Sequence, residues 1–299
     1  MVKVLFIINR KRKLQQHALD LLNLAEKSPM LQVEKRFTDY AGHATEIAQL
    51  NAKIHDVLVA IGGDGTAHEV LNGICKSGNK SISFGIIPNG TGNDFARMLK
   101  PFNSADFLKQ LEQKRSQKID IGEVKQKTKT DYFLNIADIG FGAKVVDVMH
   151  RQRLMGIQGK FSYTLSILRT FFIFKKTNLI IEGENFKYQG KPLMVAFCNG
   201  SAFGHGLVIH PEAKINNGYL GITVIGNVSI LTYLKKLKDL KNGKKIKHSE
   251  VNYFNTRSVL IKRSNNNVLV EGDGELLGNS LIRVSILKAH LNLINSVLD

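Results

Sequence analysis

The chain has 299 residues, 43% hydrophobic and 22% charged, with 5 prolines and no low-complexity tract, so it can bury a sizeable core and long disorder is excluded. Lys and Arg total 42 against 25 Asp and Glu, and the resulting net charge of +17 calls for an anionic partner such as nucleic acid, acidic lipid or nucleotide phosphate. Two isolated cysteines, Cys75 and Cys198, exclude a disulfide scaffold and fit a reducing, cytoplasmic setting.

From the N-terminus, β-branched runs at Val2 to Ile8, Leu31 to Phe37, Val57 to Ile61 and Ile82 to Ile87 alternate with segments of helical period such as Leu14, Ala18, Leu21, Leu22 and Ala25. Such alternation predicts a parallel sheet flanked by helices. The run Val4 to Ile8 is followed, not preceded, by Arg10, Lys11, Arg12 and Lys13, so it reads as a strand rather than a secretion signal. After about residue 125 the texture changes to short strand-like runs: Tyr132 to Ile136, Leu179 to Ile181, Leu193 to Cys198, Leu220 to Ile225, Val259 to Lys262 and Val268 to Glu271. Two helical stretches interrupt them, Ala143 to Phe174 and Ile230 to Leu240. The longest near-apolar run, Phe161 to Phe174, holds Arg169 and falls short of the ~20 residues that span a bilayer. The reading is an α/β nucleotide-binding domain over 1–125 and a β-rich domain over 126–287, with 288–299 as a tail able to return to the first.

Two glycine-rich motifs carry the chemistry. Ile61-Gly62-Gly63-Asp64-Gly65-Thr66 follows a buried strand and opens a helix, where N–H groups and the helix N-terminus favour phosphate. Thr66 and Glu69 have capping-box spacing, and Asp64 is placed to hold Mg²⁺. Alone, this run reads equally well as a capped strand-to-helix turn. Pro88-Asn89-Gly90-Thr91-Gly92-Asn93-Asp94 follows the next strand and is expected to open another helix, so both loops lie at one sheet edge, where ligands bind in open α/β sheets. No Walker or protein-kinase signature is present. Near the C-terminus, Glu271-Gly272-Asp273-Gly274-Glu275 gathers carboxylates fit to accept an alcohol proton during phosphoryl transfer, or to form only a solvated turn between strands.

Together, Gly62-Gly63-Asp64-Gly65-Thr66, Glu69-Val70-Leu71-Asn72-Gly73 and Gly90-Thr91-Gly92-Asn93-Asp94-Phe95-Ala96-Arg97 resemble the diacylglycerol and sphingosine kinase superfamily, with bacterial YegS/DgkB-type lipid kinases nearest in pattern. The likeness continues through Thr38, Asn135, Gly140-Phe141-Gly142, Asn199, Pro211-x-Ala213 and Asp273-Gly274-Glu275. It implies an NAD-kinase/diacylglycerol-kinase-like architecture with a C-terminal sandwich and a lipid site between the domains. It also implies ATP as co-substrate with Mg²⁺, bound by Asn9, Thr38, Gly62, Gly63, Asp64, Gly65, Thr66, Glu69 and Thr91. A proton acceptor is placed within Asp273-Gly-Glu275; Glu275 is preferred, with Asp273 as second candidate or Mg²⁺ partner. The reaction implied is phosphorylation of a membrane-lipid hydroxyl, with an NAD-kinase-like activity or a catalytically inactive binding protein as alternatives.

Four positions depart from the family pattern. The opening loop reads Asn9-Arg10-Lys11-Arg12-Lys13 without the usual Pro and Gly. His68 stands where many bacterial members have Asn, as in sphingosine kinases. The turn of a structural metal site has Asn217 in place of Asp, beside the carbonyls of Lys214 and Tyr219, which weakens it for a hard cation. His205 interrupts a glycine run and reads as a surface loop residue or a headgroup contact, the former preferred. The expected partners are ATP, a lipid and an anionic membrane surface met peripherally through Lys235, Lys236, Lys238 and Lys241; nucleic acid is not expected, and a homodimer is left open.

Overall fold

In a computed structural model of the protein, which describes residues 1–156, 162–263 and 268–298, the strands Leu31–Thr38, Val2–Asn9, Val57–Gly62 and Ser83–Pro88 lie side by side in that order, all parallel. The central residues of the last three are apolar without alternation because both faces are covered, whereas the edge strand Leu31–Thr38 exposes Lys35 and Arg36. Leu5, Ile7, Leu58 and Phe84 pack beneath helices His43–Asn51 and Asp64–Ser77, while Val4, Phe6, Ile8 and Val59 meet helices Gln16–Lys27 and Ser104–Glu112. The predicted stripe Ala18, Leu21, Leu22, Ala25 is the buried face of Gln16–Lys27.

The long strand Leu281–Leu293 joins this sheet, pairing parallel with Ser83–Pro88 through Asn292 and Leu293 and antiparallel with Gln117–Gln126 and Ser258–Arg263. A register shift between Leu287 and Leu291 bends it, with Ala289 at φ 49°. A second, antiparallel sheet runs Val251–Thr256, Leu220–Ile225, Met194–Cys198, Ile136–Gly140, Val270–Gly272, Glu275–Gly278. Phe133, Phe197, Ile222, Val259 and Val284 fill the space between the two sheets, which makes the sandwich. Phe133 and Phe197 are fully buried, and truncating either to Ala costs about 3–5 kcal/mol. On the second sheet's other face lie helices Phe141–Leu154, Ser162–Ile173 and Ile230–Lys241.

Three local expectations change. The run Tyr132 to Ile136 is not one strand: Thr130–Phe133 and Ile136–Gly140 belong to different sheets, and the backbone turns where Leu134 N and Asn135 N donate to the Asp273 carboxylate. The stretch Ala143 to Phe174 forms two helices, with 157–161 outside the described residues. The second glycine run opens only a short 3₁₀ turn, Phe95–Met98, because Asp64 Oδ1 accepts the Phe95 N–H and holds the chain against the first loop.

Candidate active site

The two glycine loops touch. A Cβ on Gly90 would stand 2.5 Å from Gly63 Cα, so the loops approach this closely only with glycine at position 90. Helix Asp64–Ser77 starts from Gly63 without a side-chain cap, which corrects the capping box. Thr66 instead presses on Gly62, and its Oγ1 accepts from Asn9 Nδ2 at 3.0 Å. Glu69 accepts the N–H groups of Gly42 and Ala44 at 2.9 and 3.1 Å, fixing the start of helix His43–Asn51 beside Thr38. Thr91 Oγ1 accepts from Arg12 Nη1 at 2.7 Å, so the basic opening loop reaches the second glycine loop. Asn9, Thr38, Gly63, Asp64, Gly65, Thr66, Glu69 and Thr91 all line one cavity; Gly62 packs behind it.

Asp64 lies at the meeting point of the loops. Burial pushes its carboxyl above the usual range, N–H groups of Asp94 and Phe95 partly offset this, and the charges of Asp94 and Asp273 push the same way as burial. Such a carboxylate gains from a cation beside it. Asp94, part of a quoted motif but given no role from sequence, accepts from His205 N and Gly206 N at 3.0 and 2.9 Å. Gly204, His205 and Gly206 have φ of 59, 68 and 85°, a concave run of N–H groups suited to an anion. His205 thus contributes its backbone.

The C-terminal carboxylates divide sharply. Asp273, at φ 52°, accepts from Leu134 N at 2.8 Å, Asn135 N at 2.9 Å and pairs with His68 Nδ1 at 3.1 Å. Its side chain is 4% exposed and its oxygens are occupied by protein donors. His68 is buried behind it; burial disfavours its charge, but the hydrogen bond and charge of Asp273 outweigh that and raise its pKa. His68 does not line the cavity, so its identity bears on Asp273 rather than on a substrate contact. Glu275 is 40% exposed, and its Oε1 is 2.7 Å from where a Cβ on Gly65 would stand. His150 Nε2, from helix Phe141–Leu154, is 3.8 Å from Glu275 Oε2.

The cavity measures about 1170 Å³ and continues from the glycine loops past Glu275 into the space between the second sheet and its helices. There its lining turns apolar: Phe141, Val145, Met149, Ile167, Leu207 and Ile225. One end is polar and anion-seeking, the other fits hydrocarbon, and Glu275 stands at the join.

The turn at Lys214, Asn217 and Tyr219 does not fit a divalent cation. Asn217 Oδ1 accepts the Tyr219 N–H at 2.9 Å, and the buried Asp120 carboxylate holds Gly218 N at 2.6 Å and Ala289 N at 2.7 Å.

The family called Diacylglycerol kinase catalytic domain matches residues 3–124, and the YegS C-terminal NAD kinase beta sandwich-like domain matches residues 135–295. A protein from Staphylococcus saprophyticus named diacylglycerol kinase is 31% identical over 82% of this chain and 80% of its own length. One from Klebsiella pneumoniae, named "Probable lipid kinase YegS-like", is 30% identical over 96% of this chain and 94% of its own. The crystal structure of a diacylglycerol kinase from Bacillus anthracis superposes with a TM-score of 0.70 at 22% identity, covering 98% of this chain and 97% of that one. With paired glycine loops, a sandwich behind them and matches at this coverage, the chain belongs to the diacylglycerol kinase and YegS-like family of lipid kinases.

Proposed function

We propose that the protein transfers the γ-phosphoryl group of ATP to a hydroxyl of diacylglycerol or a related membrane lipid, with Glu275 as proton acceptor. The observation that carries this reading is the placement of Glu275 on Gly65, which brings a carboxylate from the second sheet onto the phosphate-favouring loop at the mouth of an apolar cavity. ATP lies along Asn9, Thr38, Gly63 to Thr66 and Thr91, with Glu69 holding the neighbouring helix start and Gly62 packing beneath Thr66. Arg12 compensates for the missing Pro and Gly by adding positive charge beside Thr91. Asp64 is the residue that would hold Mg²⁺, which screens the phosphates when bound. The lipid hydroxyl oxygen attacks the γ-phosphorus as the bond to the β-phosphate oxygen breaks. Glu275 takes the hydroxyl proton and ADP leaves. Asp273, spent on three protein donors, positions the turn.

The lipid is met at a membrane surface. Among the described residues no helix is long and apolar enough to cross a bilayer. Helix Ser162–Ile173 turns Ile167 and Phe171 inward while Leu165, Leu168 and Phe172 are 43, 39 and 85% exposed, with Arg169 and Lys175 beside them. Such a stripe buries its area in the headgroup region and keeps its cations at the phosphates. On helix Ile230–Lys241, Lys235, Lys238 and Lys241 are exposed, whereas Lys236 is half-buried at the cavity wall beside Asp239.

The experiment is incubation of the protein with ATP, Mg²⁺ and dispersed lipid extract, followed by mass spectrometry. A phosphorylated lipid supports the reading; phosphorylated NAD, or no product with nucleotide bound, contradicts it.

A further inference from the structure

Side chains alternate along a strand, so Asp138 shares with Ile136 and Met194 the sheet face that borders the cavity. Its register partner across the antiparallel pair is Glu271, so the two carboxyl groups lie against each other on that face. Both are buried, at 0 and 2% exposure. Each already serves one backbone N–H: Asp138 Oδ1 accepts from Ala143 at 2.8 Å, in the first turn of helix Phe141–Leu154, and Glu271 Oε2 accepts from Gly274 at 2.8 Å, between Asp273 and Glu275. Among the described residues Asp138 Oδ2 meets no hydrogen-bond donor. Two ionised carboxylates cannot remain in contact away from water, so the contact requires a proton. A Cβ on Gly142 would stand 2.1 Å from Asp138 Oδ2, which explains the glycine that lets the helix start close over the pair.

We propose that Asp138 and Glu271 share one proton, and that this bond ties the turn carrying the catalytic base to the helix that lines the lipid cavity. The helix carries Phe141, Val145 and Met149 along the cavity and His150 toward Glu275. The turn carries Glu275 itself. The bond therefore sets the separation between bound lipid and base, and both acids are positioning residues. The other titratable groups acting on the pair are Cys198 from the neighbouring strand and Asp273 from the turn, while His150 of the helix faces Glu275 instead. Burial pushes both acids upward and their mutual contact raises Glu271 further; burial raises Cys198 as well, which leaves its thiol neutral.

The kinetic half of this inference rests on the kinase reading; the proton does not. Glu271→Gln supplies a permanent amide donor to Asp138 and keeps an acceptor for Gly274, so the tie becomes independent of pH. The test measures thermal denaturation without substrate and kcat on a diacylglycerol micelle, from about pH 5 to about pH 9, for the parent, Glu271→Gln and Glu271→Ala. A proton held only in the folded state loses its stabilising effect as pH rises. The expected result is a Tm that falls with pH at least twice as steeply in the parent as in Glu271→Gln. The Gln variant should keep activity at alkaline pH where the parent loses it, and the Ala variant should lose roughly tenfold or more in kcat with an unchanged KM for ATP. Coinciding Tm slopes and coinciding alkaline limbs for parent and Glu271→Gln overturn the proposal. If Glu271→Gln does not fold, Asp138→Asn makes the same exchange from the other strand and the same comparison decides. A parent inactive on lipid whose Tm slope is removed by Glu271→Gln supports the shared proton and contradicts the assigned reaction.

Discussion

Glu275 Oε1 occupies the space that a Cβ on Gly65 would need, 2.7 Å away. The two residues come from opposite ends of the chain, and their contact closes the cleft between glycine loop and sandwich. Gly65→Ala forces the flexible end of Glu275 aside while leaving the backbone untouched. Ala within a helix is favoured over Gly by about 0.5–1 kcal/mol, so Tm should hold or rise. A ~1 Å displacement of the base should nevertheless lower kcat by about 10²-fold. Unchanged kcat in a folded Gly65→Ala protein would separate Glu275 from the chemistry.

The Asp64 carboxylate, buried beside Asp94 and Asp273, costs the fold stability when ionised. Its carboxyl pKa is raised, so the folded state holds the proton more tightly and stability declines as pH climbs from the ordinary carboxylate range through the folded value. Asp64→Asn should therefore melt higher than the parent at neutral pH, converge with it in acid, and lose kinase activity. Parent Tm should rise with Mg²⁺ and ATP as binding stabilises the fold, and the variant should show little of that rise. Equal Mg²⁺-dependent shifts in both proteins would remove the metal role from Asp64.

His68 and Asp273 form a buried pair in which His68 titrates above its usual value of about 6.5. Their stabilising contribution is fully present below that value and is lost as pH rises through the folded pKa. His68→Ala leaves Asp273 short of one donor, which costs about 1–3 kcal/mol at low pH, and should flatten the decline of stability above about pH 6.5. Denaturant titrations of both proteins at several pH values measure this; parallel curves across the range would contradict the pairing.

Much of the site was legible because local chemistry dictates it. Buried strands ending in glycine turns fix where phosphate can lie, and Gly63, Asp64, Thr66 and Thr91 meet in one cavity as their positions at adjacent strand ends imply. Long-range partners were not legible. That Asp273 is saturated by Leu134, Asn135 and His68 while Glu275 faces the cleft depends on contacts from across the chain, so spacing left the two acids equivalent. The same holds for Asp94, whose partners are backbone N–H groups of the second sheet's loops, and for the capping box, displaced when Asn9 recruited Thr66. In the tail, Asn292 and Leu293 pair with Ser83 and Phe84, a register that no local pattern encodes.

The proposed membrane contact divides into an apolar and an electrostatic share. Leu168→Glu with Phe172→Glu should remove most vesicle binding at any salt concentration, because the stripe no longer enters the headgroup layer. Replacing Lys235, Lys238 and Lys241 by Gln should weaken binding to anionic vesicles by up to ~1 kcal/mol per residue and reduce its salt dependence, with ATP affinity unchanged. Vesicle sedimentation of the two variants checks both; binding equal to the parent in each would place the contact on another face.

The most direct measurement is the product formed from ATP, Mg²⁺ and diacylglycerol in mixed micelles by the parent and by Glu275→Gln, each with its ATP affinity measured alongside. The parent should yield the phosphorylated lipid, and the variant should bind ATP equally while turning over by at least ~10²-fold less, since the amide keeps the shape and cannot take the proton. Equal lipid phosphorylation by both proteins would contradict the account.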